Sequence, residues 1–460
     1  MSLTAPLQSM LAQYADAASA RFHMPGHKGR ACGSPADAAL PIDITELSFS
    51  DDLHDPQCVL AEAERSIARA FGAYRSFILV NGSTAGVLAA LLAFGDGARV
   101  LMARDCHRSF VSGLALSGAQ CVPLSSRWTN GEHAPACAND VAEALASERF
   151  DAVALTYPDY YGRCFDIARV ADAVRRSNAL LLIDCAHGAH NAFSHCFTSP
   201  AQYADIWVTS LHKTLPALSQ CAVLNVSHTA ARLCGGIQAA LRMVQTSSPS
   251  YVLMASCEHA VNCASALDWN AHLERIRSVI RRINAIDGIF VPDFSDTPSV
   301  CERDPLRLCV RLEECDGFSA MRLLEQRNVY VEMADANTLV LITSPLDPDE
   351  WYDMLLRALA ELPRGAHAAP IPPPPARRSS SLNFRSAMLS RSASVPLEDA
   401  VGRTAAQPVG AYPPGNAVVL PSEVFMREDI EYLLRLRELG CALFGVDDGK
   451  VACVEARIDI

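Results

Sequence analysis

The chain has 460 residues, half of them hydrophobic and a fifth charged, so it is long enough for about two or three domains around a sizeable buried core. A formal net charge of −12 argues against general nucleic-acid binding. No apolar run could span a membrane, no secretory signal is recognisable, and the seventeen cysteines form no Cys-x-x-Cys pair, which predicts a reduced, cytoplasmic protein without a metal site.

Residues 1–70 are predicted to combine a short helix with an irregular stretch that contains Phe22-His23-Met24-Pro25-Gly26-His27-Lys28-Gly29. From about residue 76, short apolar runs alternate with longer Ala-rich segments, which is typical of a mostly parallel sheet covered by helices. The predicted strands are Phe77–Val80, Val100–Met102, Cys121–Leu124, Ala152–Thr156, Leu180–Ile183, Ile206–Val208 and Ala222–Val226. We therefore predict an α/β large domain over residues 71–245, with a mostly parallel seven-stranded sheet sandwiched by helices.

The pattern changes near residue 240. Residues 246–366 are predicted to form a smaller α+β domain, with one long helix from Ala260 to Arg282 and strands at Leu306–Leu312 and Thr338–Ile342. A Pro- and Ser-rich linker is predicted over residues 367–385. Residues 386–460 are predicted to form a C-terminal α+β domain that contains a helix near Arg427–Leu439.

Polar clusters follow five of the strands in the large domain. In open sheets of this class, ligands bind beyond the carboxyl ends of the strands. A single ligand site that gathers all five clusters is the simplest interpretation. The clusters are Asn81–Thr84, Arg104–Ser109, Tyr157–Tyr161, Asp184–His187 and Ser210–Lys213.

Lys213 is the most informative residue of these clusters. It lies in Ser210-Leu211-His212-Lys213-Thr214-Leu215-Pro216, directly after a short apolar strand. A lysine held there can be partly desolvated, which lowers the pKa of its amine and favours attack on an aldehyde. The alternative is an ordinary solvated surface charge.

The segment Asn81-Gly82-Ser83-Thr84-Ala85-Gly86 follows a strand and opens a helix. Small residues let backbone N–H groups approach an anion, and the hydroxyls of Ser83 and Thr84 add donors, so the segment suits one phosphate. An ordinary strand-to-helix turn capped by Ser or Thr remains the alternative.

His107 and Asp184 complete the set. His107 could stack on an aromatic ring, or it could be a buried, hydrogen-bonded histidine. Asp184 could keep a ring nitrogen protonated, or it could cap a helix. Taken together, the clusters fit an aromatic ring that bears an aldehyde, a ring nitrogen and a phosphate, which is pyridoxal 5'-phosphate held by Lys213 as a Schiff base.

These motifs resemble those of the Orn/Lys/Arg decarboxylase family in its short form, whose members are pyridoxal-phosphate enzymes of the aspartate-aminotransferase-like fold type I. The resemblance covers nearly the whole chain. The matching segments are Phe22–Gly29, Asp43–Leu47, Asp51–His54, Asn81–Gly86, Asp184 with Ala186–Gly188, Ser210–Gln220, Val395–Leu397 and Tyr412–Gly415.

The resemblance implies roles for the matching positions. Lys213 would carry the cofactor, Asp184 would pair with its ring nitrogen, His107 would stack on the ring, and Ala186 and His187 would lie beside it. The phosphate would be held by Ser83, Thr84, Ser210 and His212. The segment Thr246–Tyr251 resembles one that reaches the neighbouring subunit's phosphate, which implies at least a homodimer.

The chain departs from the family pattern at Cys185, at Asp159, at Ser422 and in Pro56-Gln57-Cys58, where the family usually has Pro-Gly-Gly, and these departures put the substrate in question. A basic substrate needs an anionic partner for its distal group, and Glu46, Asp159 and Glu423 are the candidates. Lys213 or His212 is the candidate acid that returns a proton to the α-carbon.

The sequence thus predicts decarboxylation of a basic L-amino acid (arginine, lysine or ornithine) in polyamine-related metabolism. Two alternatives stay open. One is another reaction of the same cofactor, such as transamination or elimination. The other is a catalytically silent regulatory protein that kept the fold.

Overall fold

The computed structural model describes residues 4–17, 19–124, 127–129, 132–295, 297–365, 371–376, 382–413 and 415–455. Residues 367–370 and 377–381 of the predicted linker at 367–385 therefore lie outside the described residues, as does Pro414 of the tail motif. Helices in the described chain are α1 (Pro6–Asp16), α2 (Val59–Phe71), α3 (Gly82–Phe94), α4 (Arg108–Ser117), α5 (Ala138–Ser147), α6 (Ile167–Arg176), α7 (Asn191–Ser194), α8 (Leu211–Thr214), α9 (Cys234–Val244), α10 (Tyr251–Ala266), α11 (Trp269–Ile283), α12 (Gly317–Glu325), α13 (Asp349–Ala360), α14 (Phe384–Met388) and α15 (Arg427–Glu438).

The strands are short, and several of them are buried along their whole length. They are β1 (Arg75–Leu79), β2 (Arg99–Ala103), β3 (Gln120–Leu124), β4 (Arg127–Thr129), β5 (Glu132–Ala134), β6 (Ala152–Thr156), β7 (Arg163–Cys164), β8 (Leu180–Asp184), β9 (Ile206–Ser210), β10 (Ala222–Val226), β11 (Ile289–Phe290), β12 (Glu302–Arg303), β13 (Arg307–Leu312), β14 (Met333–Ala334), β15 (Thr338–Ile342), β16 (Ser392–Pro396), β17 (Val409–Tyr412), β18 (Ala417–Val419), β19 (Ala442–Phe444) and β20 (Lys450–Val454).

The predicted mostly parallel sheet is confirmed. Its seven strands lie in the order β1-β10-β9-β8-β6-β2-β3, and all seven predicted runs are among them. Strand β2 pairs in parallel with β3 and β6, and β8 pairs in parallel with β9. Strand β10 runs antiparallel to its neighbours β1 and β9. Such strands are covered on both faces, which explains why they read as continuous apolar runs rather than as alternating patterns.

This topology brings three carboxyl ends to one edge of the sheet. Strands β8 and β9 are parallel, with Asp184 opposite Val208. Strand β1 is antiparallel to β10, and β10 is antiparallel to β9, so β1 and β9 run in the same direction. The segments that follow β1, β8 and β9 therefore emerge on the same side, as expected for a ligand site in a sheet of this class.

The contacts divide the chain into two compact units. The first comprises Met1–Ala93, Leu182–His195 and Ser199–Leu267, and the second comprises Phe94–Leu181, Cys196–Thr198 and Asp268–Ile460. Within the second unit, a four-stranded sheet has the order β11-β13-β15-β14, and α12 and α13 contact each other next to it. The C-terminal part of this unit has its own apolar cluster, which includes Leu397, Val409, Phe425 and Leu433.

One predicted element is wrong and one is confirmed. The single helix predicted from Ala260 to Arg282 is two helices, α10 and α11. The chain turns extended at Leu267, and the carboxylate of Asp268 then accepts a hydrogen bond from Ala271 N (2.9 Å), which caps a new helix. The predicted helix near Arg427–Leu439 is confirmed as α15.

Candidate active site

The amine of Lys213 makes a polar contact with His187, which belongs to the same unit. Lys213 is half-buried in α8, the single turn that follows β9, and its Nζ is 3.2 Å from Nε2 of His187. His187 is itself 7% exposed. The sequence had suggested a desolvated lysine near a histidine, and the structure supplies His187 from the neighbouring strand end as its partner.

Asp184 ends β8, the strand that pairs with β9. Its side chain is 5% exposed, and Oδ1 accepts a hydrogen bond from the backbone N–H of Ala186 at 3.0 Å. The helix-cap alternative is therefore not what the structure shows, because the next helix, α7, begins only at Asn191. A buried carboxylate beside the turn that carries Lys213 is the arrangement needed to hold a cationic ring nitrogen.

A hydrogen bond between two hydroxyl groups connects the turn after β1 to the last residue of β9. Ser210 Oγ donates to Ser83 Oγ at 2.9 Å, and Ser83 and Thr84 lie at the start of the thirteen-residue helix α3. Gly82 has φ of +72° with open space where a Cβ would stand. Gly86 packs so closely that a Cβ would lie 2.7 Å from Leu79 Cδ1. Backbone N–H groups at this helix start are thus accessible to an anion.

His212 precedes Lys213 and is held through its ring. Its Nδ1 is 3.0 Å from the carbonyl oxygen of Cys221, so this nitrogen carries the proton and donates. Nε2 is then the nitrogen left to accept from another donor. The contact fixes the orientation of the imidazole within the turn.

His107 lies in the second unit, at the start of α4. It is exposed, and its Nδ1 accepts from Ser109 N (3.2 Å) and lies 2.9 Å from Ser109 Oγ. The ring caps the helix through one edge, and its faces are not needed for that contact. The burial expected in the alternative interpretation is absent for this side chain.

Asp105, two residues earlier, was not predicted. Burial raises the pKa of Asp105 to about 7, the Asp159 carboxylate raises it further, and Arg163 lowers it. A carboxyl that titrates near neutrality within a polar cluster is a common feature of functional sites. Its place in Arg104–Ser109, after an apolar strand, was the available sequence signal.

Glu46 lies in an N-terminal segment of the first unit. One carboxylate oxygen accepts from Thr45 Oγ1 at 2.6 Å, while Oε1 is buried and has no hydrogen-bond partner among the described residues. The segment packs against the start of α10, where Tyr251 donates to the carbonyl of Asp51. Burial raises the pKa of Tyr251 to about 12, and the charge of Glu46 contributes to that shift.

The other two candidate carboxylates already have cationic partners in the second unit. Asp159 pairs with Arg163 at 2.7 Å, and both side chains are less than 10% exposed. Glu423 pairs with Arg104 and also accepts from Leu420 N at 2.7 Å. A carboxylate neutralised in this way is a poor partner for a further cation. Neither arginine was predicted as a partner; Arg163 lies only four residues from Asp159, whereas Arg104 comes close to Glu423 only in the folded chain.

Ser422 stands where the family usually has glycine, and the backbone conformation at this position explains that preference. Its φ is +71°, in the left-handed region that favours glycine. The Ser422 hydroxyl donates to the carbonyl oxygen of Asn383 at 2.8 Å, which offsets part of the strain. Cys185, the departure next to Asp184, is buried, and its backbone N–H donates to Val208 O at 2.8 Å.

Comparison with known proteins identifies the relatives of this site. The family model for the major domain of Orn/Lys/Arg decarboxylases matches residues 5–290, and the model for their C-terminal domain matches residues 374–448. The chain belongs to the Orn/Lys/Arg decarboxylase family. The prediction of an amino-acid decarboxylase is therefore confirmed at the level of the family.

The similarity extends over whole proteins. The chain is 30% identical to the uncharacterized protein YaaO of Bacillus subtilis, over 94% of each chain. It is 28% identical to an arginine decarboxylase of Halalkalibacterium halodurans, over 96% of this chain and 95% of that protein. The constitutive lysine decarboxylase of Escherichia coli superimposes with a TM-score of 0.80 at 18% identity, covering 98% of this chain and 82% of that one, which shows the shared fold.

The comparisons confirm the predicted pyridoxal-phosphate fold type I architecture. None of the helices in the described part of the chain combines the length and the apolar character that a membrane span needs.

Proposed function

We propose that the protein binds pyridoxal 5'-phosphate on Lys213 and decarboxylates a basic L-amino acid, namely arginine, lysine or ornithine, to the corresponding amine. The observation that supports this most directly is the common edge of the sheet. The Lys213 amine and the Asp184 carboxylate follow neighbouring parallel strands, and the Ser83–Ser210 pair lies at the same edge. The residues expected to hold an aldehyde, a ring nitrogen and a phosphate thus come from one side of one sheet.

The residues present fit this cofactor. The open turn at Gly82 and the start of α3 offer backbone N–H groups, and Ser83, Thr84 and Ser210 add hydroxyl donors for the phosphate. His107 has ring faces that its helix-capping contact leaves unused. When bound, the cofactor supplies an electron sink at the substrate's α-carbon.

Residues of the chain have the remaining roles, which are to hold and transfer protons and to orient the substrate. Asp184 keeps a proton on the ring nitrogen because its buried negative charge favours the cation. Lys213, with its amine next to His187, is the candidate for returning a proton to the α-carbon, and His212 is the alternative. The site must also orient the substrate so that the bond from its α-carbon to the carboxylate would lie perpendicular to the plane of the cofactor ring.

Among the three candidate carboxylates, we assign the distal group of the substrate to Glu46. Its Oε1 is buried without a hydrogen-bond partner, whereas Asp159 and Glu423 are paired with arginines. An ammonium or guanidinium group would supply the donor that this oxygen lacks.

We also propose a homodimer as the minimum active unit, working in the cytoplasm in polyamine-related metabolism. The segment from Thr246 to Ser248 is exposed in the single chain, and Ser248 N donates back to Thr246 Oγ1 at 3.2 Å. An exposed, locally ordered hydroxyl-rich turn is suited to a site on a second copy.

The test is a substrate panel with the purified protein. With pyridoxal 5'-phosphate added, the wild type should release CO₂ from at least one of arginine, lysine and ornithine, and Lys213→Ala should lower turnover by at least about a hundredfold. Mass analysis of the product separates decarboxylation from transamination, because only decarboxylation removes the carboxyl group and keeps the amine. A wild type that binds the cofactor but releases no CO₂ from any of the three would overturn the proposal.

A further inference from the structure

Strand β1 is the terminal strand of the described seven-stranded sheet, and side chains complete its outer edge. On its inner side it pairs with β10. On its outer side, Ile78 N donates to Glu64 Oε1 at 3.1 Å and Val80 N donates to Gln245 Oε1 at 2.8 Å. Gln245 Nε2 in turn donates to Ile78 O at 3.4 Å. Two side chains thus make the hydrogen bonds that a neighbouring strand would otherwise make.

These partners are shielded from bulk water. Glu64 is 6% exposed, Gln245 is 7% exposed, and Ile78 and Val80 are 1% and 3% exposed. The adjoining cavity, which Glu64 and Gln245 help to line, has a volume of about 10 Å³, roughly the space of one water molecule. Loss of either side chain therefore leaves a buried backbone group without a partner.

These contacts lie at the entrance to the turn that is proposed to bind phosphate. Val80 directly precedes Asn81-Gly82-Ser83-Thr84. On the far side of the turn, Gly82 N donates to Gln220 O at 2.9 Å, and Ser210 Oγ reaches Ser83 Oγ. Asn81 Oδ1 accepts from Thr246 N at 3.5 Å, the residue after Gln245. The turn is thus held at both ends, and Glu64 and Gln245 hold its β1 end.

We propose that Glu64 and Gln245 are positioning residues for the phosphate of the cofactor: they fix the outer edge of β1 and thereby the location of Ser83 and of the first N–H groups of α3. Neither side chain touches the phosphate itself. The inference rests on the proposed function, since it assumes that this turn binds phosphate. It assigns a role to two buried polar residues: Glu64 belongs to α2, and Gln245 is the C-cap of α9, directly before the segment Thr246–Tyr251.

The chain offers a matched control on the same strand. Ser76 Oγ donates to Asn225 Oδ1 at 2.6 Å, and Ser76 is 1% exposed, but this hydrogen bond lies at the opposite end of β1 from the turn. Ser76→Ala removes a buried hydrogen bond of β1 without changing the turn. It separates general destabilisation of the sheet from displacement of the phosphate turn.

The experiment compares two probes, pyridoxal 5'-phosphate and pyridoxal, which lacks the phosphate. Dissociation constants are measured by absorbance titration of the full chain for the wild type, Gln245→Met, Glu64→Met, Glu64→Gln and Ser76→Ala. We expect Gln245→Met and Glu64→Met to weaken binding of pyridoxal 5'-phosphate about tenfold or more while pyridoxal binding changes little. Glu64→Gln keeps an acceptor for Ile78 N and should restore affinity. Ser76→Ala should lower the thermal midpoint without changing the ratio of the two constants.

The outcomes are distinguishable. The positioning role would be overturned if the ratio of the two dissociation constants stayed at the wild-type value in both methionine variants. It would also be overturned if Ser76→Ala changed that ratio as much as the methionine variants do. Either result would leave the proposed function intact. A wild type that binds neither probe would overturn the proposed function and this inference with it. The thermal midpoints of all variants show in each case that the folded protein was titrated.

Discussion

At the scale of single residues, environment decides what each carboxylate does. Glu46, Asp159 and Glu423 are chemically similar, and the sequence offered all three as partners for a basic substrate. The folded chain gives Asp159 and Glu423 buried arginine partners but leaves one oxygen of Glu46 without a hydrogen bond. The pKa of Arg163 is raised, although burial acts to lower it, because Asp159 lies against the guanidinium.

A pair of matched carboxamide substitutions separates these roles. Asp159→Asn leaves the buried Arg163 charge without its counterion and should lower the free energy of unfolding by about 3–5 kcal/mol. Glu46→Gln should leave stability nearly unchanged but raise KM for the basic substrate roughly ten- to hundredfold, because the amide lacks the negative charge that strengthens the hydrogen bond to a cation. Urea unfolding and steady-state kinetics measure the two effects. A reversal, with KM changed by Asp159→Asn alone, would return the substrate role to Asp159.

At the scale of elements, side chains at the outer edge of the sheet make the hydrogen bonds that a further strand would make. A terminal strand presents unpaired N–H and C=O groups, which proteins must cover. Here α2 and the end of α9 supply Glu64 and Gln245 for that purpose. This arrangement costs free energy, because Glu64 is an acid and its burial disfavours the charged form.

That acid gives stability a specific dependence on pH. Burial raises the pKa of Glu64 to about 7 from the ordinary 4.5, and the charge of Asp51 adds to the rise, while the Ile78 N–H and Arg75 oppose it. The folded protein therefore holds this proton between pH 4.5 and 7, where the unfolded chain releases it. Stability from this group is complete below pH 4.5 and falls as the pH rises towards 7, by up to about 3 kcal/mol.

Glu64→Gln removes the titration and keeps a hydrogen-bond acceptor. The thermal midpoint of the variant minus that of the wild type should become more positive between pH 5 and pH 8. His54 and Arg75, which face the same cavity, are present in both proteins, so their own titration largely cancels in the difference. A difference that stays constant with pH would show that Glu64 is not the titrating group.

At the scale of the whole molecule, the chain matches the family models for both the major domain and the C-terminal domain. The proposed homodimer predicts that part of each site comes from the second chain. Exposure of Ser247 and Ser248 in the single chain favours a segment that serves a second copy.

Mixed dimers test this directly. Lys213→Ala should inactivate its own site, and Ser248→Glu should repel the phosphate in the partner's site. Random pairing of the two inactive variants should restore about a quarter of wild-type activity, because half of the dimers are mixed and each contains one intact site. Co-expression with two affinity tags, followed by a CO₂-release assay, provides the measurement. If the mixed dimers are as inactive as the parents, each site is built within one chain.

Much of this protein was predictable from local pattern. Alternation of apolar runs and Ala-rich segments gave the sheet and its seven strands, because strands buried on both faces have a distinct composition. Polar residues after those strands predicted that Lys213, Asp184, Ser83 and Ser210 share one location, because the carboxyl ends of such strands meet at one edge, and the strands that carry them do run in the same direction. One prediction was wrong: the single helix expected from Ala260 to Arg282 is two helices, because the chain turns extended at Leu267 and Asp268 caps a new helix.

Only the tertiary structure decided which polar groups are neutralised and which are left to act. Arg163 lies four residues from Asp159, but Arg104 lies 319 residues from Glu423, and Gln245 lies 165 residues from Val80. Hydrogen bonds and ion pairs act over about 3 Å in space, and the sequence does not encode those distances locally. The types of chemical group at the site were thus fixed by the sequence, while their charges, partners and protonation depend on the packing of distant segments.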